Sequence, residues 1–260
     1  GFVVWHDGRA RVLVDAGGGT FLRFGQAGAR LEDLDLIAMT HFHTDHASDL
    51  SALLKSGYFS PRQRALTISG PDGNHLMPGL ESFLARQFDA ERGSFSYLSG
   101  FLDGSGNPFA LKPVEVAADT GDRVMVWQKE GLEVSAVGVH HGPIPTLSYR
   151  IELDGRHIAV GGDQNLETGH FAPLAADADV LIMPMAIPED AGSVAANLHA
   201  RPSAIARLVA EAEPGHLVLS HLMARSLRNL DAQLERIRGH YSGRLTVAED
   251  LSCHVVEASR

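Results

Sequence analysis

The hexapeptide His41-Phe42-His43-Thr44-Asp45-His46 constrains this chain more than any other stretch, because it sets four potential metal ligands directly behind a short apolar run, residues 34–39. Such a run, continuous in its apolar character and bounded by polar residues, reads as a buried strand. On an extended segment His41 and His43 project to the same side and can hold one ion, whereas Asp45 and His46 fall on the following turn and can reach a second. The spacing therefore predicts a two-ion site at a strand end.

A site of that kind needs about seven protein ligands. The rest of the chain offers more at strand ends. His141 closes the apolar run 132–139, Asp163 follows 158–160 and two glycines, and His221 follows 217–220. Strand ends are where side chains from distant parts of a sequence can be gathered. Further apolar runs bounded by Gly, Asp or Pro, at 2–5, 11–15, 66–69, 123–127, 147–153, 180–183 and 244–247, predict additional strands. Asp154-Gly155 is a strong hairpin signal. Ile205, Leu208, Val209 and Ala212 repeat at helical spacing behind Pro202, and Leu227, Leu230, Leu234 and Ile237 do so before Gly239. Strands in both halves with helices between them predict an α/β fold of two sheets packed face to face with helices outside, a four-layered αββα sandwich.

At 260 residues, 44% hydrophobic and 21% charged, the chain fits one large domain spanning 1–260. Residues 70–110 read as an appended lid or insertion, its aromatics either walling a substrate pocket or packing on an outer layer or a homodimer partner. The net charge of −10 and the lack of a Lys/Arg run argue against a protein that grips a nucleic-acid backbone over many phosphates, leaving room for a small basic pocket. A small-molecule substrate is the expected partner. No run of about eighteen apolar residues predicts a membrane helix. Cys253 is the single cysteine, so no intrachain disulfide is expected. The opening at Gly1 on the apolar run 2–5 suggests that a first strand or a removed signal peptide lies upstream, which allows a cytoplasmic, periplasmic or secreted location.

The order of Asp15 in Leu13-Val14-Asp15-Ala16-Gly17, the HFHTDH segment, His141, Asp163 in Gly161-Gly162-Asp163 and His221 in Leu219-Ser220-His221 closely resembles the five motifs of the metallo-β-lactamase fold superfamily. The resemblance runs from about residue 10 to the C-terminal end. It implies that His41, His43 and His141 hold one ion, that Asp45, His46 and His221 hold the other, and that Asp163 bridges them. It implies two zinc ions, with iron or manganese compatible with the same donors. Asp15 would orient a ligand histidine through a hydrogen bond. His140 stands where related enzymes carry an acidic residue and would sit behind the ligands or at the pocket edge. Residues 139–150 and 197–225 look most like the branch with tRNase Z, arylsulfatase-type and phosphodiesterase-type enzymes, and residues 66–71 resemble a segment of the same branch. There a histidine in the position of His199 assists the leaving group. The glycines at 17–19 lack the lysine and helix start of a phosphate-binding loop.

The expected activity is that of a metal-dependent hydrolase, in which a hydroxide held between two ions attacks a small anionic ester, a phosphodiester or an aryl sulfate. Asp45 would orient the nucleophile and His199 would protonate the leaving oxygen. Arg150, Arg201 and Arg225 are candidates to bind the substrate charge. Alternatives are a lactone or β-lactam hydrolase, disfavoured because Cys253 lies outside the motifs, and a tRNase Z-like RNA 3′-processing endonuclease, disfavoured because no basic arm is present. A metal-binding protein without catalysis would lack a ligand, and all seven positions are filled. His6, His75, His157, His170, His216, His240 and His254 match no motif and are expected to be structural or at the surface.

Overall fold

The computed structural model describes residues 1–106 and 109–256. Two compact units make up the chain, Gly1–Val116 and Ala117–Arg260, where one domain to residue 260 is expected from length. The physical reason is that each sheet carries its own helices and its own apolar cluster. Residues 107, 108 and 257–260 of the expected lid and domain lie outside the described residues.

The first unit holds β1 (Phe2–His6), β2 (Arg9–Val14), β3 (Leu36–Ala38), β4 (Leu66–Pro71) and β5 (Leu111–Val116), hydrogen-bonded in that order. Only β1 and β2 are antiparallel, joined by Asp7-Gly8 with both residues at positive φ. The others are parallel. Sequence periodicity misses β5 because Pro113 interrupts its alternation; the strand is an edge, where a missing N–H is tolerated.

The helices of this unit are α1 (Thr20–Gln26), α2 (Thr44–Ala47), α3 (Leu50–Ser56), α4 (Leu80–Phe88) and α5 (Gly100–Asp103). Side chains of the 70–110 segment enter the core of this unit. Leu80, Leu84, Phe88, Leu98, Phe101 and Phe109 are buried in one cluster with Leu13, Ile37 and Leu53. Each such side chain contributes about 1.5–3 kcal/mol when fully buried, so the segment has strong reason to stay packed. Phe95 and Tyr97 are the aromatics of this segment left exposed.

The second unit holds β6 (Val124–Lys129), β7 (Leu132–His141), β8 (Ile144–Leu153), β9 (Arg156–Val160), β10 (Val180–Pro184), β11 (His216–Ser220) and β12 (Arg244–Val247), in sheet order β12-β11-β10-β9-β8-β7-β6. The strands β6 to β9 form antiparallel hairpins and β9 to β12 a parallel set. Asp154 and Gly155, both at positive φ, turn the chain between β8 and β9 as their sequence predicts. Its helices are α6 (Ala172–Ala175), α7 (Ser193–Leu198), α8 (Pro202–Ala212), α9 (Ala224–Leu227) and α10 (Leu230–Arg238).

α8 begins on Pro202, suited to a first helical position, and buries Ile205, Leu208, Val209 and Ala212, the predicted stripe. The second predicted stripe is broken. Asn229 adopts φ 58, which separates α9 from α10 and leaves Leu227 exposed, so the stripe that reaches the core starts at Leu230. Among the described residues no helix is long and apolar enough to cross a membrane.

Candidate metal centre

In the first unit β2 and β3 run parallel with Val14 beside Ala38, so Asp15 and the segment from Thr40 leave from the same edge of the sheet. Open sheets place ligands at such carboxyl ends. Asp15 holds the segment with both oxygens. Its Oδ1 accepts the Thr40 N–H at 2.7 Å; its Oδ2 accepts the Thr40 hydroxyl at 2.8 Å and His46 Nδ1–H at 2.7 Å. With its one hydroxyl proton directed at Asp15, Thr40 Oγ1 accepts from His41 Nδ1 at 3.0 Å. Each of these two rings thereby keeps its lone pair on Nε2, the protonation a metal ligand requires.

His41 Nε2 faces His43 Nδ1 at 3.0 Å, and His46 Nε2 lies 3.8 Å from Asp45 Oδ2. Two donors that share one ion at about 2.0–2.1 Å in tetrahedral geometry stand about 3.3 Å apart, so both pairs fit an ion. His41 and His46 are buried, while the Asp45 side chain is 61% exposed. Gly17 makes the arrangement possible. A Cβ there would fall 1.7 Å from the Asp45 carbonyl oxygen, and the neighbouring Ala16 N–H donates to His46 O at 2.8 Å. Gly17 thus seats the turn of α2.

In the second unit β7 and β9 are both antiparallel to β8, and β9, β10 and β11 are parallel. The carboxyl ends of β7, β9 and β11 therefore share an edge, from which His141, Asp163 and His221 emerge. Asp163 Oδ2 lies 3.4 Å from His221 Nε2, 3.6 Å from His199 Nδ1 and 3.9 Å from His141 Nε2. These spacings exceed the 2.7–3.2 Å of a good N–H···O bond and suit atoms that share an ion. His141, Asp163 and His199 each present one ligand atom, and the three atoms lie within 4.8 Å of one another. His141 Nδ1–H donates to Leu198 O at 2.7 Å, which turns its Nε2 lone pair toward Asp163. Gly162 lets the Asp163 loop close on β8, since a Cβ there would meet Leu147 O at 2.2 Å.

His199 lies beside Asp163, buried, its Nδ1 3.6 Å from Asp163 Oδ2 and without a hydrogen-bond partner among the described residues. Burial pushes its pKa down to about 4, with Asp163 opposing and His141, His221 and Arg225 adding to the shift. At neutral pH the ring therefore holds one proton and is uncharged. His140, on the opposite face of β7 from His141, bonds Asn197 Oδ1 through Nε2 at 3.2 Å.

Two of the three arginines have backbone partners within the fold. Arg150 is buried, and its guanidinium bonds Glu152 Oε1, Leu174 O, Ala176 O and His157, so it ties helix α6 to the sheet. Arg201 donates to the Glu189 and Ala191 carbonyls at 2.9 and 2.8 Å and holds that loop. Arg225 donates through Nε to Ala186 O and lines a cleft with Asn229, Gln233 and Arg236. The sequence reading also missed Thr40, whose signal was a hydroxyl directly ahead of the histidine pair. It missed Asn165 as well, whose N–H donates to His140 O at 3.0 Å and whose Nδ2 is buried without a partner among the described residues.

Known proteins resemble the chain along nearly its whole length. It is 26% identical over 259 residues to Ribonuclease Z of Mycolicibacterium paratuberculosis, covering 95% of this chain and 88% of that one. The short form of human tRNase Z superposes with a TM-score of 0.72 at 21% identity, covering 98% of this chain and 91% of the other. The metallo-β-lactamase fold protein YhfI of Bacillus subtilis does so at 0.67 with 20% identity, over 92% and 85%. The sequence relatives are ribonucleases by name, which overturns the expectation of a small-molecule partner with nucleic acid disfavoured. That expectation rested on net charge, a sum over the whole surface, whereas contact with a polyanion is decided locally. A family model described as the beta-lactamase superfamily domain matches residues 10–222, and the chain belongs to that family as a hydrolase of the metallo-β-lactamase fold.

Proposed function

We propose that this hydrolase cleaves a phosphodiester bond of RNA in the manner of a tRNase Z-like 3′-processing endonuclease. The observation that carries the reading is its end-to-end likeness to Ribonuclease Z. The proposed metal ligands are His41, His43, Asp45 and His46 in the first unit and, separately, His141, Asp163 and His221 in the second. Zinc suits five imidazoles and two carboxylates. Bound ions of this type polarise a phosphoryl oxygen and lower the pKa of a coordinated water toward 7.

The chain's own residues supply the rest. Asp15 fixes the tautomer of His46 directly and that of His41 through Thr40, so both rings are oriented before an ion arrives. Asp45, the exposed carboxylate of the cluster, would orient the attacking water. His199, neutral and buried, offers a single N–H to the charge that develops on the leaving oxygen, where burial strengthens the hydrogen bond.

Incubating metal-reconstituted protein with a precursor tRNA and, separately, with bis(p-nitrophenyl) phosphate tests the reading. Cleavage of the RNA with the higher kcat/KM, abolished by a chelator and restored by zinc, is the expected result. Turnover of the small ester with the RNA left intact would overturn it.

A further inference from the structure

The first unit carries a surface group that neither metal cluster uses. α3 ends at Ser56 and runs into the single turn Gly57–Phe59, which brings Lys55, Tyr58 and Phe59 together. Lys55 Nζ lies 4.7 Å from the centre of the Tyr58 ring and 4.5 Å from that of Phe59, and the rings meet edge to face at 4.9 Å. The two aromatics have opposite fates. Tyr58 packs on the apolar core of the unit, whereas Phe59 is 84% exposed. Leaving such a ring in water forgoes the gain from its burial, and the cation beside it holds it in place.

Charge sets the kind of partner. In a chain of net charge −10, residues 50–71 contain Lys55, Arg62 and Arg64 and no Asp or Glu. Arg62 is buried and Arg64 is bound to Asp35, so Lys55 is the cation this stretch leaves beside the exposed ring. An exposed aromatic face next to an ammonium matches a nucleotide, with a base to stack and a phosphate to pair. A protein contact calls for a broad apolar patch, and Phe59 is instead flanked by Ser60, Pro61 and, a turn back, Ser56.

We propose that Lys55, Tyr58 and Phe59 form a stacking platform for an unpaired segment of RNA. Tyr58 anchors the platform, a base lies on the outer face of Phe59, and the adjoining phosphate pairs with Lys55. The proposal rests on the RNA reading above and gives this acidic chain a local way to hold its substrate without a basic arm. α3, roughly 10 Å long at 1.5 Å per residue, links the platform to the histidine hexapeptide.

The test measures binding of a short uridine-rich single strand to the metal-loaded protein by fluorescence anisotropy over a salt series. Phe59→Ala is expected to weaken binding about 5- to 100-fold, Phe59→Leu nearly as much, and Phe59→Trp little or not at all. Lys55→Gln is expected to reduce the slope of log affinity against log salt by about 0.7, the value for one phosphate on a single strand. Turnover of bis(p-nitrophenyl) phosphate should be the same in every variant. If the unsubstituted protein binds and cleaves RNA while Phe59→Ala and Lys55→Gln leave affinity and salt slope unchanged, the platform is refuted and the RNA reading stands. A change of oligomeric state in Phe59→Ala, seen by sedimentation, would assign the surface to protein contact and overturn the proposal. Failure of the unsubstituted protein to bind or cleave any RNA would overturn both.

Discussion

The two units carry candidate ligand clusters of opposite construction. In the first, four candidate ligands occupy six consecutive residues and are oriented by one carboxylate, Asp15, brought in by the neighbouring strand. In the second, His141, Asp163, His199 and His221 come from four separate segments and converge on one carboxylate oxygen. A local motif can be preorganised by one relay of hydrogen bonds. A dispersed one depends on the register of a whole sheet. The first cluster should therefore be sensitive to its supporting residue, and the second to its centre.

The largest expected effect follows from removing that centre. Asp163→Ala should lower turnover on the order of a thousand-fold and reduce the metal content of the purified protein, measured by steady-state kinetics and elemental analysis. Retention of both would mean that the convergence of imidazoles on this carboxylate is incidental. Asp15→Asn sharpens the other side of the comparison. It should cost about 10- to 100-fold in metal affinity or activity, because the amide no longer enforces the Nδ1–H tautomer of His46. Competition with a chromophoric chelator reads the affinity, and a value equal to that of the parent would remove Asp15 from the relay.

Close backbone approach at Gly17 in one unit and Gly162 in the other predicts that Gly17→Ala and Gly162→Ala each destabilise by about 1–3 kcal/mol or more, since the added methyl meets a carbonyl oxygen rather than a flexible side chain. Denaturant midpoints test this, and unchanged midpoints would show that the loops shift freely.

The smallest effect concerns acid. Burial lowers His216 to about 4, with Arg244 and His254 adding to the shift. A folded-state value below the unfolded 6.5 means that the fold prefers the neutral ring. Its contribution is complete above about 6.5 and is lost as the pH falls toward 4. His216→Gln should flatten the pH dependence of stability in that window; a slope identical to the parent's would show that other groups set it.

Much of this was legible in the chain. Among the described residues eleven of the twelve strands stand where apolar runs place them, and β5 escaped because Pro113 masks an edge strand. The stripe of α8 was readable because its periodicity is unbroken, whereas the helix expected from Leu227 hid a stop at Asn229, a residue able to adopt positive φ. The role of the aromatics of 70–110 stayed open in the sequence because composition reports that rings must be covered and is silent on what covers them.

The sequence by itself determined the chemistry available: imidazoles and carboxylates at strand ends, in an order that marks the family, with an HxHxDH spacing that sets four candidate ligands within one strand end and one turn. Tertiary structure decided what those groups do to one another. It placed His199 beside Asp163 and drove it neutral, turned the His41 and His46 lone pairs outward through Thr40 and Asp15, and committed Arg150 and Arg201 to backbone carbonyls. The reason is physical. Spacing along a chain sets direction over a few residues, while burial, tautomer and free valence depend on neighbours that folding brings from far away.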